Sequence, residues 1–316
     1  MSEGYAIQAR GLTKRYKHVV AVNTLDLDIP RGTVYGFLGP NGAGKTTTIR
    51  MLLGLIRPTS GRAAVLGHDS RTGRHAIAPK VGAIVESPTF YPYLTGAQNL
   101  EVLWRSSNMP VDRRRIEMLL ARVGLAERGK HTVKTYSLGM KQRLGIAATL
   151  LTDPEIIFLD EPTNGLDPAG TVEVRTLIGQ LGRDGHTIFL SSHLLNEVEQ
   201  VCTDVAIVQK GELKLQGTVR DLLAQSSHIL IKAAPHERAL SLLRADPALQ
   251  ARPGEDGTIA VTAAMDEVPS LISALVSADI AVYDVREHRS TLEQLFLDRT
   301  AQPHERPHGP HVEVME

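Results

Sequence analysis

Gly39-Pro40-Asn41-Gly42-Ala43-Gly44-Lys45-Thr46 fits the spacing G-x-x-x-x-G-K-[ST]. Glycines at these positions let the backbone curl until several N–H groups point at one phosphate chain, and a following helix adds its N-terminal dipole. Lys45 is then placed to reach the β- and γ-phosphates, and the Thr46 hydroxyl to ligate Mg²⁺. A second candidate is Ile156-Ile157-Phe158-Leu159-Asp160-Glu161, an apolar run that ends in two carboxylates. Asp160 suits a shell around Mg²⁺, and Glu161 suits polarisation of an attacking water. Downstream, Ser191-Ser192-His193 follows another apolar run and ends in a histidine. A lone histidine after a strand is usually a structural residue.

These residues need a particular scaffold. The loop requires a strand before it, which Thr33–Leu38 supplies, and a helix after it, which Thr46–Leu55 supplies until Pro58 and Gly61 end the pattern. Before that strand, Ala6-Ile7-Gln8-Ala9 and Leu25-Asp26-Leu27-Asp28-Ile29-Pro30 alternate in polarity and predict antiparallel strands with one wet face. Ala63–Leu66 and Val81–Val85 predict further short strands. Residues from about Glu86 to Gly129 are mainly helical in pattern, and another helix starts near Ser137. Ile156–Leu159 and Thr187–Leu190 are predicted as buried strands, and Val205–Val208 with Glu212–Leu215 as a hairpin through Lys210-Gly211. Beyond about Thr218 the pattern changes to strand, helix, strand, helix, strand and a closing helix at Leu292–Leu297, which predicts a small α+β domain of ferredoxin-like type. The Pro- and His-rich stretch from Gln302 is expected to be a disordered tail, and its His304, His308 and His311 to be solvated rather than metal-binding.

The motif order resembles that of ATP-binding cassette (ABC) ATPases, the energising subunits of ABC transporters, from about Tyr5 to Gly217. Tyr136-Ser137-Leu138-Gly139-Met140-Lys141-Gln142-Arg143 is similar to the family signature LSGGQ, departing from it at Tyr136, Leu138 and Met140. Gly165-Leu166-Asp167-Pro168 resembles the D-loop, and Tyr16 stands where the family stacks an aromatic ring on adenine. Apart from the family, Ser137 is a helix N-cap and Tyr16 an exposed strand tyrosine. The resemblance implies an α/β fold with a RecA-like core, an antiparallel β subdomain and a helical subdomain at about 87–150. These make up an ATPase domain over 5–217, with an accessory domain at 218–300 and a tail at 301–316. It implies ATP contacts from Tyr16, Gly39, Pro40, Asn41, Gly42, Ala43, Gly44, Lys45, Thr46, Thr47, Ser137, Gly139, Met140 and Asp167. Catalysis would fall to Glu161 and His193, and Mg²⁺ to Thr46, Asp160 and Glu86. The signature is expected to meet the γ-phosphate held by a second copy, giving a nucleotide-sandwich dimer.

Glu86 occupies a position where the family normally has glutamine. With Pro88 and Phe90-Tyr91-Pro92-Tyr93-Leu94-Thr95 it resembles the bacitracin- and lantibiotic-export group, and Leu292–Leu297 resembles the closing helix of drug-export ATPases. The aromatic cluster is either a docking surface for the membrane subunit or part of a helical-subdomain core.

Composition sets the outer limits. Lys plus Arg and Asp plus Glu are both 35 in the 316 residues, so no global field favours a polyanion, and nucleic acid is not expected as a partner. Met1-Ser2-Glu3-Gly4 has neither a basic start nor an apolar stretch, so no secretory signal is expected. The single cysteine, Cys202, forms no internal disulfide and points to a reducing compartment. The expected protein is a Mg²⁺-dependent ATPase on the inner face of a cell membrane, docked on separate permease subunits and driving export. The alternatives are a soluble ABC ATPase of translation or DNA-repair type, and a small-molecule kinase, which leaves Ser137–Arg143 without a role.

Overall fold

Alternating polarity in the first two strands has the expected outcome. In the computed structural model, which describes residues 4–106, 110–226, 228–263, 265–288 and 291–301, β1 (Tyr5–Tyr16) pairs antiparallel with β2 (Val19–Pro30). Ile7, Ala9, Leu12, Leu25, Leu27 and Ile29 are all buried on one face, while polar neighbours such as Asp26 and Asp28 look outward. The next strand, β3 (Val34–Leu38), is buried along its whole length and leads through the glycine loop into α1 (Lys45–Leu52). β4 (Ser60–Val65) and the two-residue β5 (His68–Asp69) complete a four-stranded sheet in the order β2-β1-β4-β5.

After the short α2 (Arg74–Ile77), β6 (Val81–Ile84) enters a second sheet. The helical insert contains α3 (Gly96–Arg105), α4 (Arg113–Arg122) and α5 (Leu138–Thr149). Their starts are set by side-chain caps. Thr95 and Gln98 form a reciprocal capping box, Asp112 accepts from the Arg114 and Arg115 amides, and Ser137 accepts from the Met140 amide. The chain then returns through β7 (Ile156–Asp160), α6 (Pro168–Arg183), β8 (Thr187–Ser192), α7 (Leu195–Glu199), β9 (Asp204–Gln209) and β10 (Glu212–Thr218).

The second sheet has the order β10-β9-β3-β8-β7-β6, with β9, β3, β8, β7 and β6 parallel and β10 antiparallel at one edge. Strands covered on both faces carry unbroken apolar runs, and β3, β7 and β8 are buried throughout. Phe189 stacks or tilts against Tyr35, Phe37 and Phe158 at ring separations of 5.4–6.1 Å. Cys202 is buried, and that burial pushes its thiol pKa far up, which suppresses the thiolate.

Two features depart from the sequence expectation. α6, 16 residues long, was not anticipated between the Asp160 strand and Thr187, although Asp167 caps it and Pro168 occupies its first turn. The 86–129 stretch is less helical than its pattern suggests: residues 86–94 contain no helix, because Pro88 and Pro92 interrupt any helical ladder.

α8 (Val219–Ser226) contains the division between two compact units, which falls between Asp221 and Leu222. The second unit runs β11 (His228–Ala234), α9 (His236–Arg244), β12 (Arg252–Pro253), β13 (Ile259–Val261), α10 (Val268–Ser277), β14 (Ala281–His288) and α11 (Leu292–Ala301). Its sheet order β12-β13-β11-β14, antiparallel throughout, is the β-α-β-β-α-β split arrangement. Ile229, Ile231, Leu240, Leu243, Ile259 and Leu275 form its own core. The expected tail from Gln302 lies outside the described residues. Among the described residues no helix is long and apolar enough to cross a membrane.

Candidate nucleotide site

Parallel register decides which loops meet. Leu38 pairs with Ser192, and Asp160 with Ser191, so β3, β7 and β8 end level with one another at their carboxyl edge. Open α/β sheets bind ligands at that edge. The Gly39 amide donates to the Ser192 carbonyl at 3.2 Å, and the Glu161 amide to the Ser191 carbonyl at 3.2 Å.

The glycine loop is tightly held. Gly44 caps α1 with φ 101°, a conformation that L side chains resist, and a Cβ there would sit 2.3 Å from the Ala21 carbonyl oxygen. Strand β2 thus presses on the loop and leaves no room for any other residue. The exposed loop residues Pro40, Asn41 and Gly42 face solvent, Ala43 is buried, and Thr46 and Thr47 open the first turn of α1, whose amides have no earlier carbonyl within the helix to bond.

Lys45 is 6% exposed, and its ammonium has two carbonyl acceptors and one carboxylate partner. Nζ donates to the Gly39 carbonyl at 2.6 Å and the Pro40 carbonyl at 3.2 Å, and lies 3.0 Å from Glu161 Oε1. The other carboxylate oxygen, Glu161 Oε2, accepts from His193 Nδ1 at 2.7 Å. Glu161 itself adopts φ 50°, a left-handed backbone that costs energy and is held by hydrogen bonds from its amide to Ser191. Asp160, 2% exposed, accepts from the Thr46 hydroxyl at 2.8 Å through Oδ2 and from the Ser191 hydroxyl at 2.6 Å through Oδ1. Thr46 and Asp160 therefore offer adjoining hard oxygen donors, the kind of ligands a small divalent cation takes.

Ser191 has no role in the sequence reading, yet it ties both carboxylate residues together. The only signal for it was a polar residue ending an apolar strand. Thr163, whose hydroxyl donates to Glu197 at 2.6 Å, fastens the loop after Glu161 to α7 and was likewise missed.

Other expected residues lie apart from this cluster. Glu86, at φ 66° and mostly exposed, pairs its carboxylate with Arg50 on the outer turn of α1. Among the described residues no group of three or more His, Cys, Asp or Glu side chains is poised for a metal, so Glu86, Asp160 and Glu161 are not gathered around one point. Ser137 is exposed and spends its hydroxyl on the Met140 amide, while Gly139 is buried. Asp167 is exposed and caps α6 through Gly170. None of the three has a described hydrogen bond to the glycine loop within one chain. Tyr136 is structural: its buried hydroxyl donates to the Arg128 carbonyl at 2.6 Å, and burial raises its pKa. Tyr16 is 44% exposed at the end of β1, and Tyr91 and Tyr93 are exposed at 61% and 78%. Phe90 lines a cleft of about 410 Å³ with Trp104 and Gly145.

A parallel sheet that brings a glycine loop, a buried lysine, a strand-end carboxylate pair and a histidine to one edge defines a phosphate-loop nucleoside triphosphatase. Residues 22–164 match the family model described as ABC transporter. The uncharacterised ABC transporter ATP-binding protein YdbJ of Bacillus subtilis is 39% identical over 295 residues, 93% of this chain and 95% of that protein. The bacitracin transport ATP-binding protein BcrA of Enterococcus faecalis is 35% identical over 294 residues, 92% of this chain and 95% of that one. A dimeric structure of the ATP-binding cassette MJ0796 in a post-hydrolysis state with ADP and Pi superimposes with TM-score 0.62 at 25% identity, covering 68% of this chain and 99% of that one. The chain belongs to the ATP-binding proteins of ABC transporters. It binds ATP, and ATP hydrolysis is its activity.

Proposed function

We propose that this ATPase drives export of a peptide antibiotic or a similar amphiphilic drug, working as a nucleotide-sandwich dimer on separate permease subunits at the inner face of a cell membrane. The observation that carries the catalytic part is the linked chain Lys45–Glu161–His193, with Thr46–Asp160 beside it on one sheet edge.

In this reading the loop amides from Gly39 to Thr47 wrap the phosphates, and Lys45 exchanges its contact with Glu161 for the terminal phosphates. Glu161, freed from Lys45, accepts a proton from the attacking water, and His193 holds the carboxylate in place through its second oxygen. Thr46 and Asp160 would hold Mg²⁺, which supplies charge neutralisation on the phosphate oxygens. Tyr16 stacks on the adenine. Ser137, Gly139 and Met140 at the start of α5, together with Asp167, act across the dimer; Ser137 and Asp167 are exposed and have no described hydrogen bond to the glycine loop of their own chain, which supports that reading. BcrA's description as a bacitracin transport protein, alongside the aromatic stretch after Glu86, favours export over a translation or repair role.

The dimer is tested by light scattering on Glu161→Gln, which retains ATP. ATP with Mg²⁺ should shift the protein from monomer to dimer, and Ser137→Arg should abolish the shift while leaving ATP binding unchanged. A protein that stays monomeric at saturating ATP, alone and with its membrane subunit, refutes the sandwich.

A further inference from the structure

We infer that Lys14 is a positioning residue for the nucleotide base, acting through Tyr16. The inference rests on the proposed stacking of Tyr16 on adenine and adds the group that prepares that ring.

The geometry begins in β1. Lys14 and Tyr16 are two residues apart at the end of β1, where its register with β2 shifts between Lys14 and Arg15, and their side chains meet. Lys14 Nζ stands 4.9 Å from the Tyr16 ring centroid, within the range where an ammonium is attracted by an aromatic face. The same Nζ donates to the Arg57 carbonyl at 2.7 Å, which fixes where the charge sits. Arg57 lies in the segment that follows α1, so the ammonium ties the end of β1 to that segment.

Register connects this pair to the phosphate site. Lys14 pairs with Val22 and Tyr16 with Val19 across the β1–β2 ladder. Val22 in turn packs on the glycine loop, where a Cβ on Gly44 would come within 3.1 Å of Val22 Cγ2. Tyr16 therefore stands a few residues along the same hairpin from the point where β2 touches the loop. Lys14 is half-buried against that hairpin, whereas Tyr16 is 44% exposed.

Two physical consequences follow. The ammonium holds one ring face and limits the rotation of an otherwise exposed side chain, so less conformational freedom is lost when a base stacks on the remaining exposed surface. It also withdraws electron density from the ring, which lowers repulsion between the two stacked π-systems. Neither effect acts on the phosphates. Lys14 should therefore matter for ligands that carry a base and be silent for those that do not.

The experiment measures affinity by calorimetry for ATP and for inorganic tripolyphosphate, both without hydrolysis, on the full chain. Tyr16→Ala should weaken ATP about tenfold and leave tripolyphosphate unchanged, with stacking worth that much per base. Lys14→Ala should weaken ATP about twofold to fivefold, again with tripolyphosphate unchanged. Lys14→Arg, which keeps a cation over the ring, should restore wild-type affinity. In the Tyr16→Ala background, Lys14→Ala should cause no further loss, because its target is gone.

If Lys14→Ala weakens ATP and tripolyphosphate alike, Lys14 is a phosphate contact or a fold-holding residue, and the inference is overturned. Full ATP affinity in Lys14→Ala, or a loss that adds to that of Tyr16→Ala, overturns it equally. Each of these results leaves the stacking role of Tyr16 standing. Unchanged ATP affinity in Tyr16→Ala removes the stacking itself, and the inference falls with it.

Discussion

Replacing Glu161 by glutamine should tighten ATP binding and stop hydrolysis, and the two effects have separate origins. The Lys45 ammonium donates to the Gly39 and Pro40 carbonyls and forms an ion pair with the Glu161 carboxylate at 3.0 Å. A phosphate that claims Lys45 must displace one of them, and Glu161 is the side chain that can swing away. Lys45 is 6% exposed and Glu161 20%, so solvent screens their contact only in part. Glutamine leaves the ammonium as a charged donor and removes only the charge–charge attraction of the pair, worth about 1–2 kcal/mol at a contact that solvent screens in part. The amide therefore competes less well with phosphate by about 1–2 kcal/mol, or about 5- to 30-fold in affinity. The phosphates are also spared a nearby negative charge. Calorimetry with ATP in the absence of Mg²⁺ reads this step apart from turnover. Hydrolysis in the presence of Mg²⁺ should fall by about 10²–10⁴-fold, the usual worth of a general base. Lys45→Ala is the contrasting control and should lose both binding and hydrolysis. Equal or weaker ATP affinity in Glu161→Gln would refute the competition between carboxylate and phosphate, and an unchanged rate would remove Glu161 from catalysis.

Three other outcomes are expected. Glu155 accepts from Lys80 and Arg31, and hydrogen bonds from those two groups, Lys80 first, lower its pKa. A depressed carboxylate contributes stability above its unfolded pKa of about 4.3 and loses it as pH falls through the lower folded value. Glu155→Gln should thus be less stable than wild type near neutrality, by no more than about 1 kcal/mol for so exposed a group, with the gap closing in denaturant melts below about pH 4. Tyr91→Ala and Tyr93→Ala should lower co-purification with the permease while ATP affinity stays constant, since both rings are exposed and a truncated interface aromatic costs about 2 kcal/mol or more; unfolding of these variants would instead assign the rings to the core. Glu86→Gln should leave the Mg²⁺ requirement of the isolated ATPase unchanged, because Arg50 already holds that carboxylate, and should raise it when the permease is present; superimposable Mg²⁺ titrations in both settings would leave Glu86 without a mechanistic part.

The glycine loop, the strand before it and the helix after it were legible in the sequence because each follows from local chemistry. Gly44 must adopt a positive φ, Lys45 and Thr46 follow at fixed spacing, and unbroken apolar runs of about five residues are too short for helices and form buried strands. The same holds for Ser137 as a cap and for the alternating β1 and β2. What no local pattern contains is the parallel register. Residues 38, 160 and 192 are far apart in the chain, and only the pairing of β3, β7 and β8 sets their ends level and brings Lys45, Glu161 and His193 into contact. Ser191 was invisible for that reason: its hydroxyl acquires a function only when Asp160 lies 2.6 Å away on the neighbouring strand. Glu86 shows the converse. The family resemblance implied a third carboxylate at the metal, but a single acidic residue carries no information about which cation it will find. The fold brings it beside Arg50, and a charged side chain that is free to reorient is captured by the opposite charge within its reach.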